Sequence, residues 1–224
     1  MITKPPERIE LFNGRVSSVG RSFSRNQPNE SSALHIHDIV PEVNRRPRVI
    51  LLAGPGGAGK TSTAARIAQH PDWAHVSEDD YWINIKEGHP WGELRTTEEQ
   101  RLVQDQVVWC VIDLVTRNKN VVLEFILYED PPRPLLNYQS ALELRNIPFV
   151  TRVLRPRADE VLRRMKTRGR TRDADIDKRR AQTEHQLRCL ASPYIQDDWV
   201  IDTSDITLEE VYVGHFQKIV EGVQ

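Results

Sequence analysis

The chain has few of the devices that would make it a secreted, membrane-bound or nucleic-acid-coating protein. Its 224 residues include only two cysteines, Cys110 and Cys189. They lie far apart without metal-ligand spacing, which argues against a disulfide-stapled scaffold or a thiolate metal site. Cys110 sits in an apolar helical run, where a buried free thiol is expected; a reducing cytoplasm is the matching compartment. The longest apolar run, Val107 to Ile112, falls far short of a membrane span. Met1 to about Glu30 lacks the continuous apolar region of a signal peptide. An excess of either charge is also missing, with 31 Lys and Arg against 32 Asp and Glu. Bulk attraction to nucleic acid or membrane is therefore disfavoured, and a local basic patch is the route left to either. A chain of this length accommodates one α/β domain with an extension better than two full domains.

What is present is concentrated in one stretch, Val49-Ile50-Leu51-Leu52-Ala53-Gly54-Pro55-Gly56-Gly57-Ala58-Gly59-Lys60-Thr61-Ser62. Five apolar residues in a row read as a strand buried on both faces. A glycine-rich turn and a helix-capable segment to about His70 follow. Gly54, Gly59, Lys60 and Thr61 satisfy G-x-x-x-x-G-K-[ST] in the strand–turn–helix context that the pattern requires. Glycines allow backbone amides to approach a phosphate chain, and the helix N-terminus adds its positive dipole end. Lys60 reaches the β- and γ-phosphates, and the Thr61 hydroxyl is offered to Mg²⁺. The expected ligands are ATP, or another nucleoside triphosphate, and Mg²⁺, with Gly54, Gly56, Gly57, Ala58, Gly59, Lys60, Thr61 and Ser62 as the cradle.

Around this stretch the chain divides. Residues 1–47 are punctuated by Pro5, Pro6, Pro28, Pro41 and Pro47, and read as an extension that is either a small β appendage or a flexible tail. His35 and His37 lack further ligands and read as surface histidines. From residue 48 to 224, strand-like and helix-like stretches alternate, as in a parallel sheet wrapped by helices. Five strands are expected: 49–53, 73–77, 121–127, 148–154 and 199–202. Residues 83–95 read as a polar loop. Thr96-x-x-Glu99 and Thr207-x-x-Glu210 are capping boxes that open two helices. Pro131, Pro132 and Pro134 are expected to stop regular structure before a helix over 136–145. Pro156 opens a helix that stops at Gly169, and a charged helix spans about 175–191. The last helix carries Leu208, Val211, Phe216, Ile219 and Val220. The expected architecture is three-layer α/β/α with its ligand at the carboxyl ends of the strands.

Two acidic positions stand out. Glu78-Asp79-Asp80 follows the second strand, where a carboxylate accepts a proton from an attacking hydroxyl or holds Mg²⁺ through water; the same residues also suit an acidic helix N-terminus. Glu124 lies among Val122, Leu123, Phe125 and Ile126, where an unpaired charge is costly and a partner is implied. The segment from Arg152 to Arg180 holds twelve basic residues and five acidic ones. Such a run is either a solvated face or a source of cations for phosphoryl transfer. Arg163, Arg164 and Arg168 precede Gly169, which reads as the hinge of a lid over about 163–192. Trp82 and Trp91 flank the presumed acceptor site, where either stacks on a flat substrate or packs in the core.

These residues together resemble P-loop kinases of small metabolites, closest to the uridine kinase and nicotinamide riboside kinase group. Ser77-Glu78-Asp79-Asp80-Tyr81-Trp82 looks like that group's S-x-D-D-[FY]-[FY] segment, which implies Asp79 as catalytic base. Val122-Leu123-Glu124-Phe125 is similar to its I-[IV]-E-G-[FI] strand end, which implies Glu124 for metal and substrate. Arg163-Arg164-x-x-x-Arg168 resembles its lid, and Val200-Ile201-Asp202-Thr203-Ser204 its last strand and turn. The likeness covers roughly residues 48–222. Phe125 replaces a glycine, Trp82 replaces a smaller aromatic, and residues 169–197 are long and charged. The resemblance implies γ-phosphoryl transfer to a hydroxyl of a nucleoside-like metabolite. In that scheme Asp79, Lys60, Arg164 and Arg168 are catalytic, and Thr61, Glu124 and Asp79 serve the metal. Asp79, Asp80, Trp82, Trp91, Glu124 and Arg163 contact the acceptor. Chloramphenicol phosphotransferase and gluconokinase share the plan, so antibiotic and sugar acceptors stay open. So do a polynucleotide 5′-hydroxyl kinase and, in another class, a nucleotide-dependent switch.

Overall fold

The computed structural model describes residues 48–85, 96–173 and 175–222. The extension over 1–47, its two histidines and Trp91 lie outside the described residues.

Five parallel strands form the sheet: β1 (Val49–Ala53), β2 (Trp73–Ser77), β3 (Asn120–Phe125), β4 (Phe149–Leu154) and β5 (Val200–Ile201). Their spatial order is β2-β3-β1-β4-β5, so β1 is central and hydrogen-bonds to β3 on one side and β4 on the other. Alternate residues of β1 serve opposite faces, as strand geometry requires. Val49, Leu51 and Ala53 pack with α3 (Thr97–Thr116) and α4 (Arg133–Glu143) through Val103, Val107, Leu135 and Tyr138. Ile50 and Leu52 pack with α1 (Lys60–Ile67) and α7 (Leu208–His215) through Ala64, Ile67, Val211 and Tyr212. The strand is fully buried, which accounts for its uninterrupted apolar run. The order reverses at β1, and in open α/β sheets that switch point is where ligands bind.

Both capping boxes are formed. The Glu99 amide donates to Thr96 Oγ1 at 3.1 Å and the Thr96 amide to Glu99 Oε2 at 2.8 Å; Thr207 and Glu210 repeat the exchange. Helix α5 (Ala158–Arg168) ends where Gly169 turns left-handed at φ +63°. Asp175 caps α6 (Ile176–Cys189) by accepting from the Lys178 amide at 3.0 Å.

Four expectations need correction. Helix α4 begins at Arg133 with Pro134 in its first turn, rather than at Leu136. A first-turn proline gives up only an amide that has no helical partner anyway. Strand β3 stops at Phe125, two residues early. Helix α2 (Glu78–Ile85) starts directly after β2 and runs into the segment read as loop. The last helix is broken at Phe216 into α7 and α8 (Gln217–Glu221).

Candidate active site

The turn between β1 and α1 is shaped by close approach. At Gly54, with φ +154°, a Cβ would lie 2.6 Å from the Leu154 carbonyl oxygen of β4, a backbone atom that cannot give way. Gly59, left-handed at φ +99°, delivers the chain into α1. Of the loop amides, Ala58 donates to the Pro55 carbonyl at 3.1 Å and Gly56 to Gln186 Oε1 of α6 at 2.9 Å. Among the described residues, the amides of Gly57, Gly59, Lys60, Thr61 and Ser62 have no protein acceptor. The first amides of a helix have none within it, and here they form a ready anion site.

Lys60 is buried, and its Nζ donates to the carbonyls of Gly54 and Pro55, each at 2.9 Å. Burial lowers its pKa to about 8, against the opposing pull of the Glu124 and Asp79 carboxylates. An anion arriving at the loop meets a cation already desolvated and held in place.

Glu124 is the penultimate residue of β3, opposite Leu52 of β1 and Ser77 of β2, on the sheet face that α1 covers. Thr61 Oγ1 donates to its Oε2 at 3.0 Å, and His75 Nε2 lies 3.0 Å from its Oε1. Burial works to raise the Glu124 pKa. The hydrogen bond from His75 and the charge of Lys60 outweigh it and hold the carboxylate below its ordinary value. The partner implied by a charged residue in an apolar strand is thus Thr61 and His75 together. His75 was missed; strand alternation from Trp73 and Ser77 puts it on the same face, and that was the available signal.

The loop, Glu124 and the first turn of α2 open onto one cavity of about 460 Å³, whose walls include Gly56, Gly57, Lys60, Thr61, Glu78 and Asp79. Asp79 and Lys60 both line it, so carboxylate and ammonium border the same space. Asp79 is at once part of an acidic helix N-terminus and part of the cavity wall. Trp82 is buried, its Nε1 donating to Glu78 Oε1 at 3.2 Å, and contributes to the same wall. Phe125, in the glycine's place, is buried edge-on against Tyr138 with ring centroids 5.1 Å apart.

The far wall is formed by the end of α5, the turn after it and α6, the segment read as a lid. Arg168, Arg170, Lys178 and Arg179 line the cavity. Asp173, whose side chain is 4% exposed, joins two of them: its Oδ2 accepts from Arg168 Nη2 at 2.7 Å, and its Oδ1 lies 3.4 Å from Arg179 Nε. This carboxylate and Gln186 were also missed, since each finds its role only through residues on another element.

Other expected site residues lie elsewhere. The Arg164 guanidinium donates to Glu160 at 2.7 Å, to the Ala58 carbonyl at 3.2 Å and to the Thr203 carbonyl, so it braces the loop from behind and is absent from the cavity wall. Arg163 is exposed and engaged by Glu160 at 2.6 Å, also off the wall. Arg163, five residues from Arg168, faces elsewhere, whereas Arg164 shares a face with Arg168 one turn earlier and is taken up by the loop packed against it. Asp80 and Ser62 are exposed and their side chains do not line the cavity.

The donor set suits Mg²⁺. Thr61 and Glu124 supply hard oxygens, and that ion is held by one or two protein oxygens, phosphates and water. Among the described residues no group of three or more His, Cys, Asp or Glu gathers for a metal, which such a site does not require. No described helix is long and apolar enough to cross a membrane.

A central parallel strand feeding G-x-x-x-x-G-K-T into a helix N-terminus defines a P-loop α/β protein, a fold built to bind nucleotides. Residues 49–193 match the family model of the AAA domain, and the chain belongs to that family. Curated proteins gave no match. Among solved structures, the tunicamycin resistance protein of Deinococcus radiodurans aligns with a TM-score of 0.56 at 17% identity, over 79% of this chain and 95% of that one. A gluconokinase from Sinorhizobium meliloti 1021 aligns with a TM-score of 0.53 at 17% identity, over 79% and 94%. Shikimate kinase from Acinetobacter baumannii, in complex with shikimate, gives 0.51 and 17%, over 79% and 95%. At these identities the likeness is one of fold. The narrower resemblance to the uridine kinase and nicotinamide riboside kinase group rests on the sequence motifs.

Proposed function

We propose that the chain is an ATP-dependent kinase that phosphorylates a hydroxyl of a small polar metabolite, with a nucleoside-like acceptor favoured by the motif at 77–82. One observation carries the reading: the phosphate loop, Lys60 and the Asp79 carboxylate face one cavity. The loop amides and Lys60 hold the β- and γ-phosphates. Asp79 orients the acceptor and takes its proton as the acceptor oxygen bonds to the γ-phosphorus and the bond to ADP breaks. Arg168 and Arg179, spaced by Asp173, meet the charge on the moving phosphoryl group. Thr61 and Glu124 would hold Mg²⁺, which neutralises phosphate charge when bound. The kinase names carried by the gluconokinase and shikimate kinase neighbours are in keeping with this chemistry.

The test is ADP release with and without a panel of nucleosides, sugars and hydroxylated antibiotics, with products identified by mass spectrometry. Acceptor-stimulated turnover and a phosphorylated product are expected. Slow hydrolysis indifferent to every acceptor contradicts the kinase reading and favours a nucleotide switch.

A further inference from the structure

The charge lining the cavity is sorted by wall. Among the described residues, its lysines and arginines come from α1 and the lid segment. The opposite wall, made by α2, α3, the end of β3 and the residues just after it, presents Glu78, Asp79, Glu124 and Glu129. Among the described residues, that wall contributes no Lys, Arg or His. A nucleotide on the loop brings its own negative charge and takes up the lid cations. An acceptor placed for attack beside Asp79 then sits among carboxylates, and among the described residues no cation of that wall lines the cavity.

Neutral hydrogen-bonding groups are in place there instead. Gln104 of α3 is buried in the wall, and Asn137 Nδ2 donates to its Oε1 at 2.6 Å. That bond fixes the amide with its NH₂ as the remaining donor, suited to a hydroxyl or carbonyl oxygen. Glu129, half-buried, has its Oε2 3.6 Å from Nε of the exposed Arg133, which is off the cavity wall, and offers its other oxygen to hydroxyl or amino hydrogens.

We propose that the acceptor carries no negative charge: a neutral polyhydroxy molecule, or its amino derivative, rather than a hydroxy acid or a sugar phosphate. This rests on the kinase reading and narrows its substrate class. Gln104 and Glu129 are the specificity-determining residues. Like charges brought together at a binding surface are strongly disfavoured, so the discrimination is expected to be large.

The experiment compares matched probes at saturating ATP and Mg²⁺: glucose, glucosamine, gluconate and glucose 6-phosphate, and uridine beside UMP. The neutral or amino member of a set should exceed its acidic counterpart in kcat/KM by a factor of about 100. Glu129→Lys, which puts a cation on that wall, should narrow the ratio about tenfold. An acid turned over as well as its neutral counterpart overturns the proposal, as does a ratio that Glu129→Lys leaves unmoved. If no probe is turned over, the same sets are ranked by saturation-transfer NMR binding to the nucleotide-loaded protein. Preferential binding of the neutral or amino members supports the proposal; equal or tighter binding of the acids, or no binding of the neutral members, overturns it. Failure of the kinase reading looks different: ADP release that no acceptor stimulates and that Asp79→Asn leaves unchanged.

Discussion

In the phosphate loop the cation is held by backbone carbonyls of its own turn, whereas in the lid the cations are held by a side chain set between two helices. Lys60 is held by carbonyls five and six residues away, and Gly54 and Gly59 shape the turn through their own backbone angles. The lid works by pairing across elements: Asp173 ties the end of α5 to the start of α6, and Gln186 reaches back 130 residues to the Gly56 amide. A site written in consecutive residues shows itself as a motif. A site written in tertiary pairings shows only as a run of charge, whose members differ in role according to what packs against each.

That contrast can be broken or sharpened. Removing the loop's cation should have the largest effect. Lys60→Ala is expected to lower nucleotide-dependent phosphorylation at least about a thousandfold, read as ADP release at saturating acceptor. Near-normal turnover would mean that the local half of the site is not where charge is handled.

Asp173→Asn should cost less but probe the lid directly. With one carboxylate oxygen gone, Arg168 and Arg179 lose their common anchor, and kcat should fall roughly ten- to a hundredfold through misplacement. Nucleotide affinity should change much less. An unchanged kcat would show that the lid cations are ordered by something other than that carboxylate.

The smallest effect concerns the brace behind the loop. Hydrogen bonds from Arg163 and Arg164 outweigh burial and hold the Glu160 pKa at about 2. A carboxylate whose folded pKa is depressed contributes stability above its unfolded value, and loses it as pH falls from about 4.5 toward 2. Thermal unfolding temperature should therefore decline across that range, and Glu160→Gln should flatten the decline. An unaltered slope would remove Glu160 as the anchor of Arg164.

The same division explains what could be read in advance. Strand β1, the loop, the two capping boxes and the Gly169 stop are each marked by a few consecutive residues, and the structure keeps each of them. Glu124 was recognisable because a carboxylate in an apolar strand demands a partner; that the partners are Thr61 and His75 required β2 and β3 to be paired. Arg164 and Arg168 look alike four residues apart, yet one braces the Ala58 carbonyl and the other lines the cavity. Packing of α5 on the loop made that difference, with Val161 and Met165 set against Gly57. The start of α4 was misplaced because prolines were read as stops where one of them serves the first turn.

The account's central claim is that a carboxylate on α2 and a polyphosphate on the loop act on one acceptor. It is tested most directly by measuring, on the same preparation of Asp79→Asn, nucleotide affinity and single-turnover phosphoryl transfer. Affinity within a few-fold of the parent, with transfer slowed by a factor of about a hundred or more, is the predicted result. Transfer at the parent rate would contradict it.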